Sequence, residues 1–209
     1  MKKLDLKDKL NPKHTALLVI DIQKDFCSSD GVLGNKGRDF RLIKQMMERL
    51  PLVIESAEKY NILTLYTQQV YNPEKLNALQ KEQYELDGKL ITCDIKTNGY
   101  EFYEINPPKQ DTYIKYNFNA FSNPNFQTRL KQSNIRTLIV TGVDTQFCVE
   151  TAVRNGYDLG YKIVLVEDCI ATNNKHIDMH NRTIDLVRNS YGVVIKSSEL
   201  IKLWGGSTE

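Results

Sequence analysis

Short apolar runs recur along the chain, separated by longer segments whose apolar residues fall at helical spacing. Most of the runs show no alternation of apolar and polar positions, which is typical of parallel strands buried on both faces. We therefore predict strands at each of them. The runs are TALLVID (15–21), ILTLYT (62–67), DTYIKY (111–116), IRTLIVTG (135–142), YKIVLVED (161–168) and VVI (193–195).

The segments between these runs predict helices. From 40 to 60, apolar residues recur at helical spacing, with Pro51 dividing two helices or starting the second. In NPNFQTRLKQSN, Asn123 can cap a helix that has Pro124 at its first position. Strands that alternate with helices imply βαβ units. The predicted fold is α/β, a three-layer α-β-α arrangement with a mostly parallel central sheet and helices on both faces.

The length of 209 residues favours a single domain that spans the whole chain. Within it, we interpret residues 1–14 as an N-terminal arm. Residues 72–108 are the least legible part, because PEKLNALQKEQYEL is typical of a helix whereas the rest resembles a loop and ends in two prolines. We predict that 72–108 is an excursion from the sheet that borders the functional site.

The composition indicates what kind of molecule the protein acts on. Lys and Arg total 28 and Asp and Glu total 26, so a net charge of +2 gives no reason to expect a nucleic-acid or membrane partner. The basic N-terminus is followed by an apolar run too short for a secretory peptide or a membrane span. Four scattered cysteines without CxxC spacing argue against a zinc ribbon, a thioredoxin motif and a disulfide framework. We expect a cytoplasmic protein that acts on a small molecule.

Three polar residues follow predicted strands, at the sheet edge where parallel α/β folds bind ligands. They are Asp21, Lys115 and Cys148. Cys148 lies near the start of a predicted helix, whose dipole favours a thiolate, and a neighbouring Lys115 would lower the thiol pKa below its usual value of about 8.5. Asp21 could take the thiol proton and return it to a leaving amine. The pattern predicts a nucleophile, a base and an electrostatic partner.

These three segments resemble the motifs of the isochorismatase-like cysteine hydrolases, which include nicotinamidases, N-carbamoylsarcosine amidohydrolases and ureidoacrylate hydrolases. LLVIDIQKDF is similar to the opening motif and places Asp21 on the catalytic aspartate. YIKYNFNAF places Lys115 on the catalytic lysine, and VTGVDTQFCVETAVRNGYDLGYKIVLVEDC places Cys148 on the nucleophile. The resemblance covers about 15–200 in the right order.

The resemblance implies a mechanism and further site residues. Cys148 would attack an amide carbonyl, and the backbone N–H groups of Asp144 and Cys148 would hold the oxyanion. A non-proline cis peptide bond would join Val143 and Asp144. Phe26 and Gln68 are the candidate residues of the substrate pocket. Asp144 stands where the family commonly has a small or neutral residue, so we expect its carboxylate to point away or to meet a donor on the substrate.

No metal and no cofactor are expected. His176 and His180 have the spacing of two ligands on one helical face, but no third ligand is evident at matching spacing. The nicotinamidases of the family bind a metal through histidines after the second strand, where this chain has LYTQQVYNPEKLNAL and no histidine. We expect His180 to pack or to cap a helix.

The predicted function is a cysteine-dependent amidohydrolase that cleaves a C–N bond of a small amide, carbamoyl or ureido compound through a thioester. Two alternatives remain, a nicotinamidase-like amidase and a non-catalytic α/β domain that binds a metabolite. By resemblance the protein would be a homo-oligomer, either a dimer or a tetramer.

Overall fold

The computed structural model describes Leu6 and residues 10–205 of the chain. Most of the predicted N-terminal arm, residues 1–5 and 7–9, lies outside the described residues, as do residues 206–209. Within the described part, a 3-10 turn at Pro12–His14 leads directly into the first strand. Asn11 caps this turn, because its side chain accepts a hydrogen bond from the Lys13 N–H.

Six strands form one sheet within the described residues, in the order β3-β2-β1-β4-β5-β6. Every neighbouring pair is parallel. The sheet confirms the predicted α/β class, and the order reverses at β1, which pairs with both β2 and β4. The strands are β1 Thr15–Ile20, β2 Leu63–Gln69, β3 Thr112–Lys115, β4 Thr137–Val143, β5 Lys162–Ala171 and β6 Gly192–Ile195.

Helices cover both faces of this sheet. In chain order they are α1 Lys24–Cys27, α2 Val32–Asn35, α3 Arg41–Met47, α4 Leu50–Lys59, α5 Ala78–Glu85, α6 Pro124–Gln132, α7 Glu150–Asp158, α8 Ile177–Leu186 and α9 Ser197–Gly205. Pro51 occupies the first turn of α4, and Pro124 begins α6 behind an Asn123 cap, as the sequence predicts. None of the helices in residues 10–205 combines the length and the apolar character needed to cross a bilayer.

Two apolar cores separate the sheet from its helical layers. Because successive side chains of a strand point to opposite faces, Leu17 of β1 enters one core and Leu18 enters the other. The first core receives α3, α4 and α9, and Trp204 of α9 is almost fully buried in it. The second core receives α6, α7 and the end of α8. The three layers of the predicted architecture are therefore present.

Two elements differ from their predicted bounds near the carboxyl edge of the sheet. The strand β2 continues to Gln69, two residues beyond the predicted end. The helix predicted to have Cys148 near its start begins as a π-helical turn, Thr145–Val149, which continues into α7. Single π-helical turns are uncommon and are frequent at functional sites, and hydrophobic periodicity does not distinguish them from an ordinary first turn.

Candidate active site

Asp21 follows β1 in a left-handed backbone conformation with φ of 53° and has no exposed surface. Its backbone N–H donates to the carbonyl of Thr67 at 3.2 Å, which ties it to the neighbouring strand β2. The Thr67 hydroxyl donates to Asp21 Oδ1 at 2.7 Å. One carboxylate oxygen is thus held by the sheet, and the other, Oδ2, faces the next strand along.

Lys115 ends β3, where it is paired in register with Gln69 of β2. Its ammonium lies 2.7 Å from Asp21 Oδ2. It also donates to the carbonyl of Asn117 at 3.0 Å and to Gln69 Oε1 at 3.3 Å. Burial lowers the pKa of Lys115, but the Asp21 carboxylate and the Cys148 sulfur raise it, and the net direction is upward. The lysine therefore stays charged although it is buried.

Cys148 lies on the π-helical turn after β4, and its sulfur is 3.2 Å from Lys115 Nζ. Gln69 Oε1 lies 3.5 Å from the same sulfur. Burial raises the pKa of the Cys148 thiol, the Asp21 charge adds to the rise, and the Lys115 ammonium opposes it. The expectation of a thiol pKa below the usual value is therefore wrong for the resting protein, because desolvation and the Asp21 charge outweigh the Lys115 ammonium.

Asp144 lies between β4 and the π-helical turn, and the peptide bond that joins it to Val143 is cis. Its carboxylate is held by Arg38, from the loop between α2 and α3. Arg38 Nη1 donates to Asp144 Oδ2 at 2.9 Å, and Nη2 donates to Oδ1. The Asp144 carboxylate thus meets a donor of the protein itself, Arg38, which does not line the cavity beside Cys148. No pattern in the polar segment around Arg38 marks this partnership in the sequence.

A cavity of about 400 Å³ opens onto the Cys148 sulfur. Phe26 lines it, in the place predicted for a pocket residue. Gln68 does not line it, and Gln69 does, because alternate residues of β2 face opposite sides of the sheet. Gln68 instead donates to the carbonyl of Tyr100 at 2.8 Å. The prediction that Gln68 lines the pocket is therefore wrong, and the pocket residue of β2 is Gln69.

The predicted excursion, 72–108, supplies one side of this cavity. It contains α5, which begins with a capping box formed by Asn77 and Gln80. The Gln80 side chain also donates to the carbonyl of Tyr116 at 3.0 Å, next to Lys115. The lining residues from this segment are Gln80, Gln83, Tyr84, Lys89, Leu90 and Thr92.

Gln23 fixes the loops behind the site. Its side-chain amide donates to the carbonyls of Gln69 and Tyr100 at 2.8 and 2.7 Å, and its Oε1 accepts from the Gln69 N–H at 2.8 Å. Asp25 plays a similar part, since its two carboxylate oxygens accept from the N–H groups of Val32 and Cys93. Both residues position the backbone and do not line the cavity.

The two histidines do not meet. His176 is exposed, whereas His180 is buried and its Nδ1 lies 2.8 Å from the hydroxyl of Thr145. That hydroxyl also donates to the carbonyl of Ala171 at 3.0 Å, so His180 braces the start of the π-helical turn. Within residues 10–205, no group of three or more His, Cys, Asp or Glu is arranged to hold a metal ion.

A family model described as the Isochorismatase domain matches residues 15–199. The chain belongs to the isochorismatase family. This confirms the resemblance to isochorismatase-like hydrolases predicted from the three motifs, and the matched range includes all of the strands and the whole of the site described above.

Comparison with individual proteins agrees with this membership. The ureidoacrylate amidohydrolase RutB of Acinetobacter baylyi is 28% identical over 211 residues, which cover 92% of this chain and 84% of the relative. A cysteine hydrolase from Pseudomonas syringae pv. phaseolicola superposes with a TM-score of 0.81 at 21% identity, covering 99% of both chains. N-carbamoylsarcosine amidase from Thermoplasma acidophilum has a TM-score of 0.70 at 20% identity, covering 88% of this chain and 96% of its own.

Proposed function

We propose that the protein is a cysteine amidohydrolase that cleaves a C–N bond of a small amide, carbamoyl or ureido compound. The observation that carries this proposal is the contact chain from Asp21 Oδ2 through Lys115 Nζ to Cys148 Sγ, with distances of 2.7 and 3.2 Å, at the wall of a cavity. A pocket that only bound a metabolite would have no use for a buried thiol beside a carboxylate and an ammonium.

The reaction begins with a neutral thiol. As Cys148 Sγ forms a bond with the substrate carbonyl carbon, its proton passes to Asp21, and the carbonyl electron pair moves to oxygen. The N–H groups of Asp144 and Cys148 donate to that oxyanion. When the C–N bond breaks, the proton goes from Asp21 to the leaving nitrogen, and a thioester remains on Cys148.

Water completes the cycle. Asp21 takes a proton from a water molecule, whose oxygen attacks the thioester carbon. The C–S bond then breaks, and the proton returns to the sulfur. The raised pKa of Cys148 suits this scheme, because proton transfer to Asp21 accompanies attack and the protein does not store a thiolate. Lys115 remains charged throughout the reaction and compensates the negative charge, whether that charge lies on Asp21 or on the substrate oxygen.

Ureido and carbamoyl compounds are the first substrates to test, and the RutB relative supports that choice. Nicotinamide is the second, because aromatic side chains favour a planar amide. Phe118 and Phe147 stack at the cavity with their ring centroids 5.4 Å apart. Release of ammonia or amine from a panel of both classes separates the two possibilities.

The decisive variant is Cys148→Ala. We expect it to lose hydrolysis of every compound that the wild type cleaves, and intact-mass analysis should show an acyl adduct on the wild type only. Cys169→Ala is the matched control, since Cys169 is also a buried thiol but lies in the opposite core, on β5. If the wild type and Cys148→Ala were equally inert on the whole panel, the amidohydrolase proposal would fail.

The proposal includes a cytoplasmic location and a homo-oligomeric state. Four buried cysteines without disulfides are compatible with a reducing cytoplasm, in which Cys148 would stay reduced. We expect a homo-oligomer, a dimer or a tetramer, which light scattering of the purified protein would reveal as a multiple of the 24.1 kDa chain mass. A monomeric mass at micromolar concentration would contradict this expectation.

A further inference from the structure

The ion pair between Arg38 and Asp144 lies at the candidate oxyanion hole and includes none of the three proposed catalytic side chains. Asp144 lines the cavity beside Cys148, yet its side chain is only 15% exposed. The Arg38 side chain is 3% exposed and reaches both carboxylate oxygens. Burying two such groups is costly, so a pair of this kind needs a compensating role or dense hydrogen bonding.

Hydrogen bonding among the described residues offsets part of this cost, since Arg38 makes two contacts to Asp144. Arg38 Nε is buried there without a partner. Structural arginines usually satisfy more of their donors when they are buried. What Arg38 does provide is a positive charge fixed against Asp144 by two parallel contacts, the geometry in which arginine and carboxylate interact most strongly.

Negative charge develops next to Asp144 in the proposed reaction. The oxyanion would accept a hydrogen bond from the N–H of Asp144 itself, so the carboxylate of the same residue lies within a few ångströms of it. An uncompensated carboxylate would repel the oxyanion and oppose its stabilisation, and this repulsion is strong where water is excluded.

We propose that Arg38 is a positioning residue for catalysis, which neutralises and immobilises the Asp144 carboxylate so that the adjacent N–H group can stabilise the oxyanion. This inference rests on the proposed function. The neighbouring Cys27 thiol of α1 adds no second negative charge beside Asp144, because burial raises its pKa and keeps it protonated. Among the described groups around Asp144, Arg38 is the cation in contact.

Three variants test this role. Arg38→Gln removes the charge, Arg38→Lys retains it, and Arg38→Gln combined with Asp144→Asn removes both charges. We expect Arg38→Gln to lower kcat by roughly 100-fold or more with a smaller change in KM, in line with the loss of an oxyanion contact. Arg38→Lys should stay within about tenfold of the wild type, and the double variant should recover most of the lost kcat.

The comparison of kcat with stability separates catalysis from folding. The free energy of unfolding of each variant, from urea titration, is measured beside its kcat. If the ion pair were purely structural, kcat would follow stability in every variant, and the loss in Arg38→Gln would appear in KM as well as in kcat. A folded double variant no faster than Arg38→Gln would overturn the proposal.

Alkylation of Cys148 by iodoacetamide tests the same electrostatics without turnover, with Cys148→Ala as the blank for other thiols. The pH midpoint of alkylation should move upward in Arg38→Gln and return in the double variant. If no amide were cleaved by the wild type, the proposed function would fail while these midpoints still decided the role of Arg38. Equal midpoints in all of the proteins would count against that role.

Discussion

Lys115 carries its charge inside the protein, where an unpaired ammonium is strongly unfavourable. Three acceptors and a sulfur surround it, namely Asp21 Oδ2, the Asn117 carbonyl, Gln69 Oε1 and Cys148 Sγ. The ammonium has three hydrogens for these partners, so every donor is used and the charge is fixed in one place. The Gln69 amide oxygen contacts both the Lys115 ammonium and the Cys148 sulfur, so Gln69 helps to hold these two groups next to each other.

His180 gives a prediction about pH and stability. Burial lowers its pKa from the usual 6.5, so between the two values the unfolded chain binds a proton that the native protein does not. Stability therefore rises with pH in this interval and is lost as pH falls through it. We expect His180→Gln to remove up to about 1.4 kcal/mol per pH unit from that dependence. Urea unfolding of wild type and variant from pH 7 to pH 5 measures the difference.

His176→Gln is the control for that experiment. His176 precedes α8 and is exposed, so the same substitution there makes an equal change of side chain without touching the contact between His180 and Thr145. Glutamine at position 180 can still form a hydrogen bond with Thr145, which keeps the brace on the π-helical turn. Parallel stability curves for wild type and His180→Gln would mean that His180 titrates alike in the native and unfolded states.

The short helix α5 depends on its cap more than on packing, because none of its residues is buried. Asn77→Ala removes a capping box worth about 1 kcal/mol. Since Gln80, Gln83 and Tyr84 of this helix line the cavity, we expect KM to rise by up to roughly fivefold. Global stability should change little, because the helix contributes no residue to either core. Steady-state kinetics and urea unfolding report the two quantities.

Asn123→Ala provides the opposite case. Asn123 also caps its helix, α6, although without a capping box. Phe126 and Leu130 of that helix are fully buried, and none of the helix lines the cavity. The variant should unfold at lower urea concentration and keep its KM. Similar effects of the two substitutions on both measurements would show that α5 does not shape the pocket independently of the core.

The elements that the sequence predicts well are those whose burial produces a recognisable pattern of apolar residues. The central strands are buried at every position and mostly apolar because both faces are covered, and the sequence singles out Asp21, Lys115 and Cys148 by their places after strands. Gln69 is missed because the end of β2 is two residues beyond its apolar run, and in a strand a small error of register exchanges the faces. Arg38 is missed because its partner is 106 residues away and its segment has no periodicity.

At the scale of the whole molecule, the site exists because the strand order reverses at β1. Strands β1 and β4 are adjacent in the sheet, although more than a hundred residues separate them, and they place Asp21 and the Asp144–Cys148 turn at the same edge. At such a point the connections that follow the two neighbouring strands run in opposite directions, and a crevice opens between them at the carboxyl ends of the strands. The pairing of β1 with β4 is therefore required both for the fold and for the position of Cys148, the proposed nucleophile.

Gly142 is the position where this pairing is most sensitive. It pairs in register with Ile20, has φ of 115°, and a Cβ atom there would lie 2.1 Å from the Ile20 carbonyl oxygen. We expect Gly142→Ala to lower the free energy of unfolding by more than about 3 kcal/mol, because the cost of backbone strain adds to the cost of a clash with main-chain atoms.

Gly160→Ala is the matched control, because φ is also positive, 89°, but nothing lies within 4 Å of the added carbon. It should cost only the strain, about 1–2 kcal/mol. Urea unfolding compares the two, and equal losses would show that the β1–β4 contact can relax around a methyl group.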